Sequence, residues 1–388
     1  MQRGRKLNRR LDVWVGTIAL NLLATFRRRR DPPLGALRRV GVMCSPALGD
    51  TLLFSGVLQD LRAALPGTEI THICMRQNLA AAEILPGADR RLLVSLTRPM
   101  ETIRALRREN FDAMLDFTSW QRLTACYTLL SGARYTVGFH TPGQRRSRGY
   151  DRTVEHCADR HETGNFRNLL LGSGLTTVVG QAHRPAIKIP AVVEVPFASE
   201  RDLIALHLWA SGQRAHLREW PEERWLELGQ RLASEQTLFL VTGAPSDRGR
   251  IEGFVGLLRA AGLRAQSFVS PDGFRTLTHV LRQCRLVVTV NTGVMHLAAI
   301  AGAPTVAING PNRNGRWGPV GPCAIGVEAP GSGCGFLHLG FEFDGRAEDC
   351  MERTSVDLVF AACRNLLAST GGEVPAPASS MAEVASCN

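Results

Sequence analysis

The hydrophobic positions of this chain fall into short runs rich in Val, Ile and Leu, separated by segments whose apolar residues recur at helical spacing. Short runs of this composition are typical of strands buried on both faces of a sheet. In the first half, strands are predicted over 40–44, 69–74, 91–95, 113–117 and 135–139, with helices over 51–65, 78–84, 100–108 and 121–130. Such alternation predicts a mostly parallel sheet with helices on both faces.

The second half repeats this alternation. Strands are predicted over 202–208, 237–242, 265–269 and 286–290, and a further strand is predicted to begin at 305. One helix is predicted to begin at Pro221 and a second to end at about 261. Further helices are predicted over 274–284, 294–301 and 355–368. The Pro- and Val-rich segment 183–196 predicts a linker, and the chain is predicted to be loop-rich from 310 to about 349. We therefore expect an α/β fold of two doubly wound, Rossmann-like domains facing across a cleft. Their predicted bounds are 35–190 and 197–368, with an N-terminal arm over 1–34 and a disordered tail over 371–388.

The segment 286–311 contains a strand that runs directly into a short helix. Asn291 and Thr292 are good N-cap residues, and Gly293 lets the backbone come close to a ligand. The free N–H groups of the first turn and the positive end of the helix dipole suit a phosphate. The alternative is an ordinary strand–helix–strand unit, in which the cap is only a cap and His296 is a packed polar residue.

Polar residues of the first half also lie where ligands are expected. Ser45, Gly49 and Asp50 follow the first predicted strand, at the carboxyl edge of the sheet. The segment 134–167 is basic and contains three His residues, and it includes Arg145, Arg146 and Arg148. It is either a solvated loop and helix face or a site for an acidic acceptor, because guanidinium groups suit carboxylates and phosphates.

Several classes of enzyme site are not indicated by the sequence. The turn after the first strand has no Gly-x-Gly-x-x-Gly, and we find no phosphate-binding Walker A loop, no His-Glu-x-x-His and no Gly-x-Ser-x-Gly. Asp-x-Asp is absent too, so no metal and no cofactor are predicted. Without a metal, a diphosphate has to be neutralised by helix N-termini and fixed cations.

The ten cysteines are scattered, and no two form a Cys-x-x-Cys pair. Several lie in predicted strands, where a small hydrophobic residue would serve equally well. We expect reduced, mostly structural thiols in a cytoplasmic protein.

The net charge of +11 is concentrated in the N-terminal arm, since residues 1–30 contain nine Lys or Arg and one Asp. This distribution does not favour a nucleic-acid-binding domain. Segment 11–26 is too short and too polar to span a membrane, and no signal cleavage site follows it. Its apolar residues form one helical stripe between two Arg clusters, which predicts a helix lying on an anionic membrane surface. The stripe consists of Leu11, Trp14, Val15, Ile18, Leu22 and Phe26. The alternative is a helix docked on its own domain or on a partner.

Four segments carry a resemblance to a known family. They are Leu-Gly-Asp-Thr-Leu-Leu at 48–53 with Leu-Pro-Gly at 65–67; Arg-Glu-Trp-Pro-Glu-Glu-Arg-Trp at 218–225; Asn-Thr-Gly-Val-Met-His-Leu-Ala-Ala at 291–299 with Gly302-x-Pro304 and Gly310-Pro311; and, more weakly, Cys350-Met351. In this order and spacing they resemble glycosyltransferase family 9, the heptosyltransferases of lipopolysaccharide core assembly. The resemblance covers roughly residues 40–365.

The resemblance implies a GT-B fold and a metal-independent, inverting sugar transfer. Asp50 matches the family's general base, although it could instead be only a helix cap. Arg218 stands where the family has a Lys that meets the donor phosphates, or is a solvated residue before a helix. The amides of Thr292, Gly293 and Val294 match the turn that receives the diphosphate, and His296 matches the family's His.

Two departures from the family pattern concern the donor site. Asn291 replaces the usual Asp, and Asn312-Arg313 follows Gly310-Pro311 where the family has Thr. The Arg316-Trp317 that comes next is similar to the family's continuation. Both departures leave the predicted fold and diphosphate site intact, and they leave the identity of the donor sugar open.

The expected function is transfer of a sugar, in this family a heptose, from a nucleotide-diphosphate sugar to an anionic lipid-linked glycan such as lipopolysaccharide core. The first domain would bind the acceptor and the second the donor, on the cytoplasmic face of the membrane. The alternatives are a nucleotide-sugar epimerase or hydrolase, and a non-catalytic nucleotide-sugar-binding protein.

Overall fold

Two parallel six-stranded sheets, one in each half of the chain, organise this computed structural model. The structure describes residues 12–25, 27–33, 36–175, 182–191, 194–212, 215–331, 334 and 348–369. Residues 1–11 of the N-terminal arm lie outside the described residues, and so does the tail 371–388, which we predicted to be disordered.

The first sheet has the strand order β3-β2-β1-β4-β5-β6. Its strands are β1 (Arg39–Met43), β2 (Glu69–Met75), β3 (Arg90–Val94), β4 (Ala113–Asp116), β5 (Tyr135–His140) and β6 (Arg152–Glu155). A π-helical turn, Asp12–Gly16, leads into the first of the helices, which are α1 (Thr17–Thr25), α2 (Leu48–Ala64), α3 (Leu79–Ala82), α4 (Pro99–Arg108), α5 (Arg122–Leu130) and α6 (Glu162–Gly172).

The second sheet has the order β12-β11-β10-β7-β8-β9. Its strands are β7 (Leu203–His207), β8 (Leu238–Thr242), β9 (Arg264–Phe268), β10 (Leu286–Val290), β11 (Thr305–Gly310) and β12 (Ala324–Glu328). The helices are α7 (Glu222–Leu232), α8 (Arg248–Ala260), α9 (Phe274–Gln283), α10 (Gly293–Ile300), α11 (Asn314–Trp317), α12 (Cys350–Arg353) and α13 (Val356–Ser369).

Both sheets bury their central strands on both faces, as the apolar runs predicted. Every residue of β10 is buried, and so is every residue of β1 except Arg39. One apolar cluster continues from the first half into the second, since it contains residues of β1 and α2 together with Val287 of β10 and Leu297 of α10. The two halves therefore share a packed interface beside their central strands.

Part of the predicted linker packs against this interface. The backbone N–H of Ala186 donates to Ser55 Oγ at 3.0 Å, and that of Lys188 donates to the Ile84 carbonyl at 2.7 Å. Asp60, which is 1% exposed, accepts hydrogen bonds from His183. The segment thus lies along α2 between the two sheets.

The structure corrects several sequence expectations. β6 and α6 lie in the segment that we predicted only loosely, and α11 and β12 lie beyond Gly310, where we expected loops. β6 is an edge strand with no fully buried residue, so it has no apolar run to reveal it. Cys334 and Cys350 form a disulfide, contrary to the expectation that all the cysteines are reduced.

Candidate active site

The N-termini of α2 and α10 meet at two glycines, one from each half of the chain. A methyl group on Gly49 would lie 2.8 Å from Cδ2 of His296, and one on Gly293 would lie 2.8 Å from Cβ of Leu48. Real Cβ atoms essentially never approach a neighbouring atom this closely, so a side chain at either position would force a neighbour to shift. The positive ends of two helix dipoles therefore converge on one region of the cleft.

Asp50 lies in the first turn of α2 and is half-buried. The helix begins at Leu48, three residues earlier than predicted, and its N-cap is Ala47, which has no side-chain acceptor. Asp50 is therefore a first-turn carboxylate and not the N-cap. The helix dipole favours its ionised, proton-accepting form.

The turn before Asp50 is fixed by buried hydrogen bonds. Thr51 Oγ1 donates to the Ala47 carbonyl at 2.8 Å and accepts from Asn78 Nδ2 at 2.9 Å. Asn78 Oδ1 accepts from the Met75 backbone N–H at 2.8 Å, which connects the turn to the end of β2. Ser45 is itself buried in this turn and accepts from the Ala47 N–H at 3.4 Å. The carboxylate of Asp50 is thus presented by a rigid segment.

Thr292 is the N-cap of α10, as predicted, and accepts a hydrogen bond from the Met295 N–H at 3.5 Å. Asn291 is buried behind it. Its side-chain Nδ2 donates to Asn309 Oδ1 at 3.0 Å and to the Trp317 carbonyl at 3.1 Å. The first-turn amides of Gly293 and Val294 belong to the helix end that faces α2, which gives the geometry of an anion site.

His296 is 4% exposed and packs against Gly49. Burial, with a smaller contribution from the nearby His161, lowers its pKa to about 3. Among the described residues, its Nδ1 atom has no hydrogen-bond partner. His296 therefore presents a neutral imidazole at this helix junction, not a cation.

Arg218 ends a short 3₁₀ helix, Ala215–Arg218, and is half-buried. Its Nη2 donates to the Ser211 carbonyl at 2.6 Å. The Trp residues of the same motif are structural, because Trp220 Nε1 donates to the Thr354 carbonyl at 2.8 Å and the ring packs edge-on against Trp225 at 5.4 Å. This motif anchors the segment that carries Arg218 to the turn between α12 and α13.

The Gly-Pro motif and the Cys-Met motif meet in space. Gly310 has φ +45°, and a side chain there would collide with Sδ of Met351. Met351 follows Cys350 in α12 and is buried. The two motifs therefore pack against each other.

The three candidate acceptor-binding Arg residues do not form one surface. Arg145 is exposed and adopts φ +53°. Arg148 is exposed, and its Nη1 donates to Asn21 Oδ1 of α1 at 3.0 Å. Arg146 has no exposed side-chain surface, because its Nη2 donates to Asp116 Oδ2 at 2.6 Å and to Tyr150 Oη at 2.9 Å.

A buried cluster of charged and polar side chains joins the two halves of the chain at the start of α6. Glu162, at the start of α6, forms a buried ion pair with Arg316 of α11, and His156 lies against both. His156 and Glu162 both belong to the segment 134–167, predicted to be either solvated or acceptor-binding, and no local pattern indicates their pairing with Arg316. Arg316 was noted only for its similarity to the family.

No metal site or membrane span is found in the part of the chain that the structure describes. No group of three or more His, Cys, Asp or Glu side chains there is arranged to hold a metal ion. No helix there has the length and apolar character needed to cross a membrane.

Comparison with known proteins identifies the family. The family model described as glycosyltransferase family 9 (heptosyltransferase) matches residues 100–335. Lipopolysaccharide heptosyltransferase 1 of Escherichia coli K12 is 25% identical over 309 residues, covering 75% of this chain and 94% of that protein. The Pseudomonas aeruginosa enzyme of the same name is 25% identical over 337 residues, covering 81% of this chain and 87% of that protein.

Solved structures show the same fold. The E. coli ADP-heptose lipopolysaccharide heptosyltransferase II superimposes with a TM-score of 0.69 at 16% identity, covering 86% of this chain and 99% of that one. A family 9 glycosyltransferase from Veillonella parvula gives a TM-score of 0.69 at 19% identity, covering 87% of this chain and 100% of that one. The resemblance and the fold class predicted from the sequence are confirmed. Since the family model matches more than half of the chain, this protein belongs to glycosyltransferase family 9, the heptosyltransferases, and is a glycosyltransferase of GT-B fold.

Proposed function

We propose that the protein transfers a heptose from a nucleotide-diphosphate heptose to an anionic lipid-linked glycan of the lipopolysaccharide-core type. The names of its relatives support the donor and the pathway, since they are lipopolysaccharide heptosyltransferases and one is described as using ADP-heptose. The observation that carries the proposal is the meeting of the α2 and α10 N-termini. It brings a carboxylate and the first-turn N–H groups of a helix to the same region of the cleft.

In this proposal Asp50 is the general base. It takes the proton from the acceptor hydroxyl as that oxygen attacks the anomeric carbon of the donor. Attack from the side opposite the leaving diphosphate inverts the anomeric configuration. The first half of the chain, 35–190, binds the acceptor beside Ser45 and Gly49, with the exposed Arg145 and Arg148 available to its negative charges.

The second half, 197–368, binds the donor. The first-turn amides at Thr292, Gly293 and Val294 and the positive end of α10 stabilise the diphosphate as it leaves. Arg218 adds a fixed positive charge. Asn291 and the neutral His296 complete the surroundings of the diphosphate. The proposed reaction needs no metal ion and no cofactor.

We propose further that the enzyme is peripheral on the cytoplasmic face of the membrane, held there by the N-terminal arm. Trp14, Val15, Ile18 and Leu22 are exposed on the described part of the arm, with relative exposures of 70%, 52%, 59% and 59%. The same helix is docked on its own domain through the opposite face, so both sequence interpretations of it are compatible. An exposed apolar stripe with exposed Arg28 and Arg29 beyond its end suits an anionic lipid surface.

Release of ADP from ADP-heptose, measured with and without a lipopolysaccharide-core acceptor, tests the function. A transferase releases ADP only when acceptor is present, and a metal-independent one continues to do so with a chelator. The product has the inverted anomeric configuration. Equal release without acceptor indicates a hydrolase. Conversion of the donor without ADP release indicates an epimerase, and ADP binding without turnover a binding protein.

Two variants separate chemistry from donor binding. Asp50→Asn keeps the side-chain size but cannot take the proton, so we expect a folded protein with parent-like ADP affinity and turnover lowered by about 10²–10⁴. Arg218→Ala should weaken ADP binding by about 1.5–3 kcal/mol, the range for a hydrogen bond to a charged group. Parent-like turnover of Asp50→Asn, or parent-like ADP affinity of Arg218→Ala, would remove that residue from its role.

A further inference from the structure

A buried ionic cluster crosses from the first half of the chain to the second. Arg316 Nη1 of α11 donates to Glu162 Oε2 of α6, and the two side chains are each 5% exposed. His156 Nε2 lies 3.2 Å from Glu162 Oε2 and 3.3 Å from Arg316 Nη2. These three side chains are the interdomain cluster discussed below.

Two further hydrogen bonds cross at the same place. His161 Nε2 donates to the Gly318 carbonyl at 3.2 Å, while its Nδ1 accepts from the Thr163 N–H at 3.3 Å and so caps α6. Arg316 Nη1 also donates to the Arg160 carbonyl at 3.3 Å. The start of α6 is thus tied to the loop around α11 by side-chain and backbone groups.

The cluster is connected to the donor turn. The Arg316 guanidinium lies over the Trp317 ring, 4.3 Å from its centroid. The Trp317 carbonyl accepts from Asn291 Nδ2 at 3.1 Å, and Asn291 immediately precedes Thr292, the N-cap of α10. A continuous series of contacts therefore runs from Glu162 in the first half to the helix end that faces the cleft.

The charges make this connection sensitive to domain separation. Burial alone would raise the pKa of Glu162, but the positive charge of Arg316 and the neighbouring His156 outweigh it and hold that pKa well below its ordinary value. Glu162 is thus ionised in this arrangement. Buried charges are tolerated only when paired, so a closed cleft without this ion pair would leave a charge buried and unpaired.

We propose that Arg316 is a positioning residue: its ion pair with Glu162 holds the two halves closed, and its contact with Trp317 keeps Asn291 and the α10 turn in place for the donor. This inference rests on the proposed function in taking the α10 turn as the diphosphate site. It assigns a role in closure to residues to which the proposed function gives no contact with the acceptor or the reacting atoms.

The test compares the full-length parent with Glu162→Gln, Arg316→Gln and the double variant. Three quantities are measured: the radius of gyration by small-angle X-ray scattering, the ADP dissociation constant by calorimetry, and turnover with acceptor. Each single variant should be more expanded, bind ADP more weakly and turn over at least about tenfold more slowly. The double variant should lose less than the product of the two single losses, because neither charge is then left unpaired. Arg364→Gln, which changes an exposed Arg of α13 in the second half, is the matched control and should behave as the parent.

Folded single variants with the parent's scattering, ADP affinity and turnover would overturn the proposal, as would losses that simply multiply in the double variant. If Arg316→Gln does not fold, Arg316→Lys is decisive, because it keeps the charge but loses the planar group over Trp317. It should then scatter like the parent and bind ADP more weakly, and parent-like ADP binding would contradict the proposal. Scattering and ADP binding need no turnover, so a parent that does not transfer heptose disproves the proposed function and leaves this test intact.

Discussion

At the scale of single residues, Asn291 shows why one departure from the family pattern fits this chain. Its amide donates to two acceptors, Asn309 Oδ1 and the Trp317 carbonyl. Asn309 donates in turn through its own Nδ2 to Asn314 Oδ1, so its oxygen is the atom left to face Asn291. A carboxylate in this position would have no proton for either neighbour. Asn291 is therefore required here as a donor, whatever it contributes to the choice of sugar.

Asn291→Asp, which restores the family's usual residue, should consequently weaken this protein. Buried acceptors left without a donor cost about 1–3 kcal/mol, so we expect a loss of that size in the free energy of unfolding, measured with urea. The displaced Trp317 should also weaken ADP binding. Asn291→Ala removes the donor without adding a charge and should lose less stability than Asn291→Asp. An Asp variant as stable as the parent would show that the amide contacts are unimportant.

At the scale of elements, the site depends on how closely α2 and α10 approach each other. Each helix contributes a glycine at the contact, and each glycine faces a non-glycine residue of the other helix. His296 is 4% exposed and its ring lies against Gly49, so a methyl group added at Gly49 requires the ring or the helix to shift. We therefore expect the separation of Asp50 from the N-terminus of α10 to depend on the size of residue 49.

Gly49→Ala should separate these two helix ends. Overpacking of a buried contact costs about 1–3 kcal/mol, and the shift should lower turnover more than a loss of stability alone explains. Turnover and urea unfolding measure the two effects. Gly256→Ala is the matched control, because Gly256 is exposed within α8 with nothing within 4 Å of an added methyl group, and Ala there should stabilise by about 0.5–1 kcal/mol. Parent-like turnover of Gly49→Ala would show that the close approach is not needed.

The sequence predicted those elements that have a local pattern. β1, β10 and the helices that follow them were predicted because an apolar run, a cap and a glycine lie next to one another in the chain. The ion pair of Glu162 with Arg316 joins residues 154 positions apart, so no periodicity or spacing reveals it. Arg146 was expected on the surface because Arg is rarely buried, whereas here a carboxylate and a phenol in the interior pair with it.

At the scale of the whole molecule, the N-terminal helix is fixed to the first domain by its inner face. Asp12 accepts hydrogen bonds from the N–H groups of Arg122 and Leu123, both at 3.0 Å, and so caps α5. Leu20 is fully buried in a cluster that includes Tyr150. The docking of this inner face could not be predicted from the sequence, because it depends on contacts with residues 110 or more positions away, which no local pattern reveals.

Two of the four consecutive Arg residues after this helix are used to hold it. Arg27 Nη2 lies 2.9 Å from Asp151 Oδ2, and Arg30 Nη2 lies 3.3 Å from the same atom. Arg28 and Arg29 are exposed. Deleting residues 1–30 would therefore remove structural contacts together with any membrane contact, and substitutions on the exposed face are the cleaner test.

Replacing Trp14, Ile18 and Leu22 together by Gln should weaken membrane binding and leave the fold intact, because all three are exposed. Burial of apolar surface stabilises by about 25 cal/mol per Å², so we expect at least about a tenfold loss in partitioning to vesicles of phosphatidylglycerol and phosphatidylethanolamine, measured by sedimentation. Activity on a detergent-dispersed acceptor should remain. Gln at Leu257 and Leu358, which are 47% and 41% exposed on the second half, is the matched control and should sediment as the parent does. If the triple variant still sediments with vesicles, the exposed stripe is not the anchor, and the basic residues before Asp12 become the next region to test.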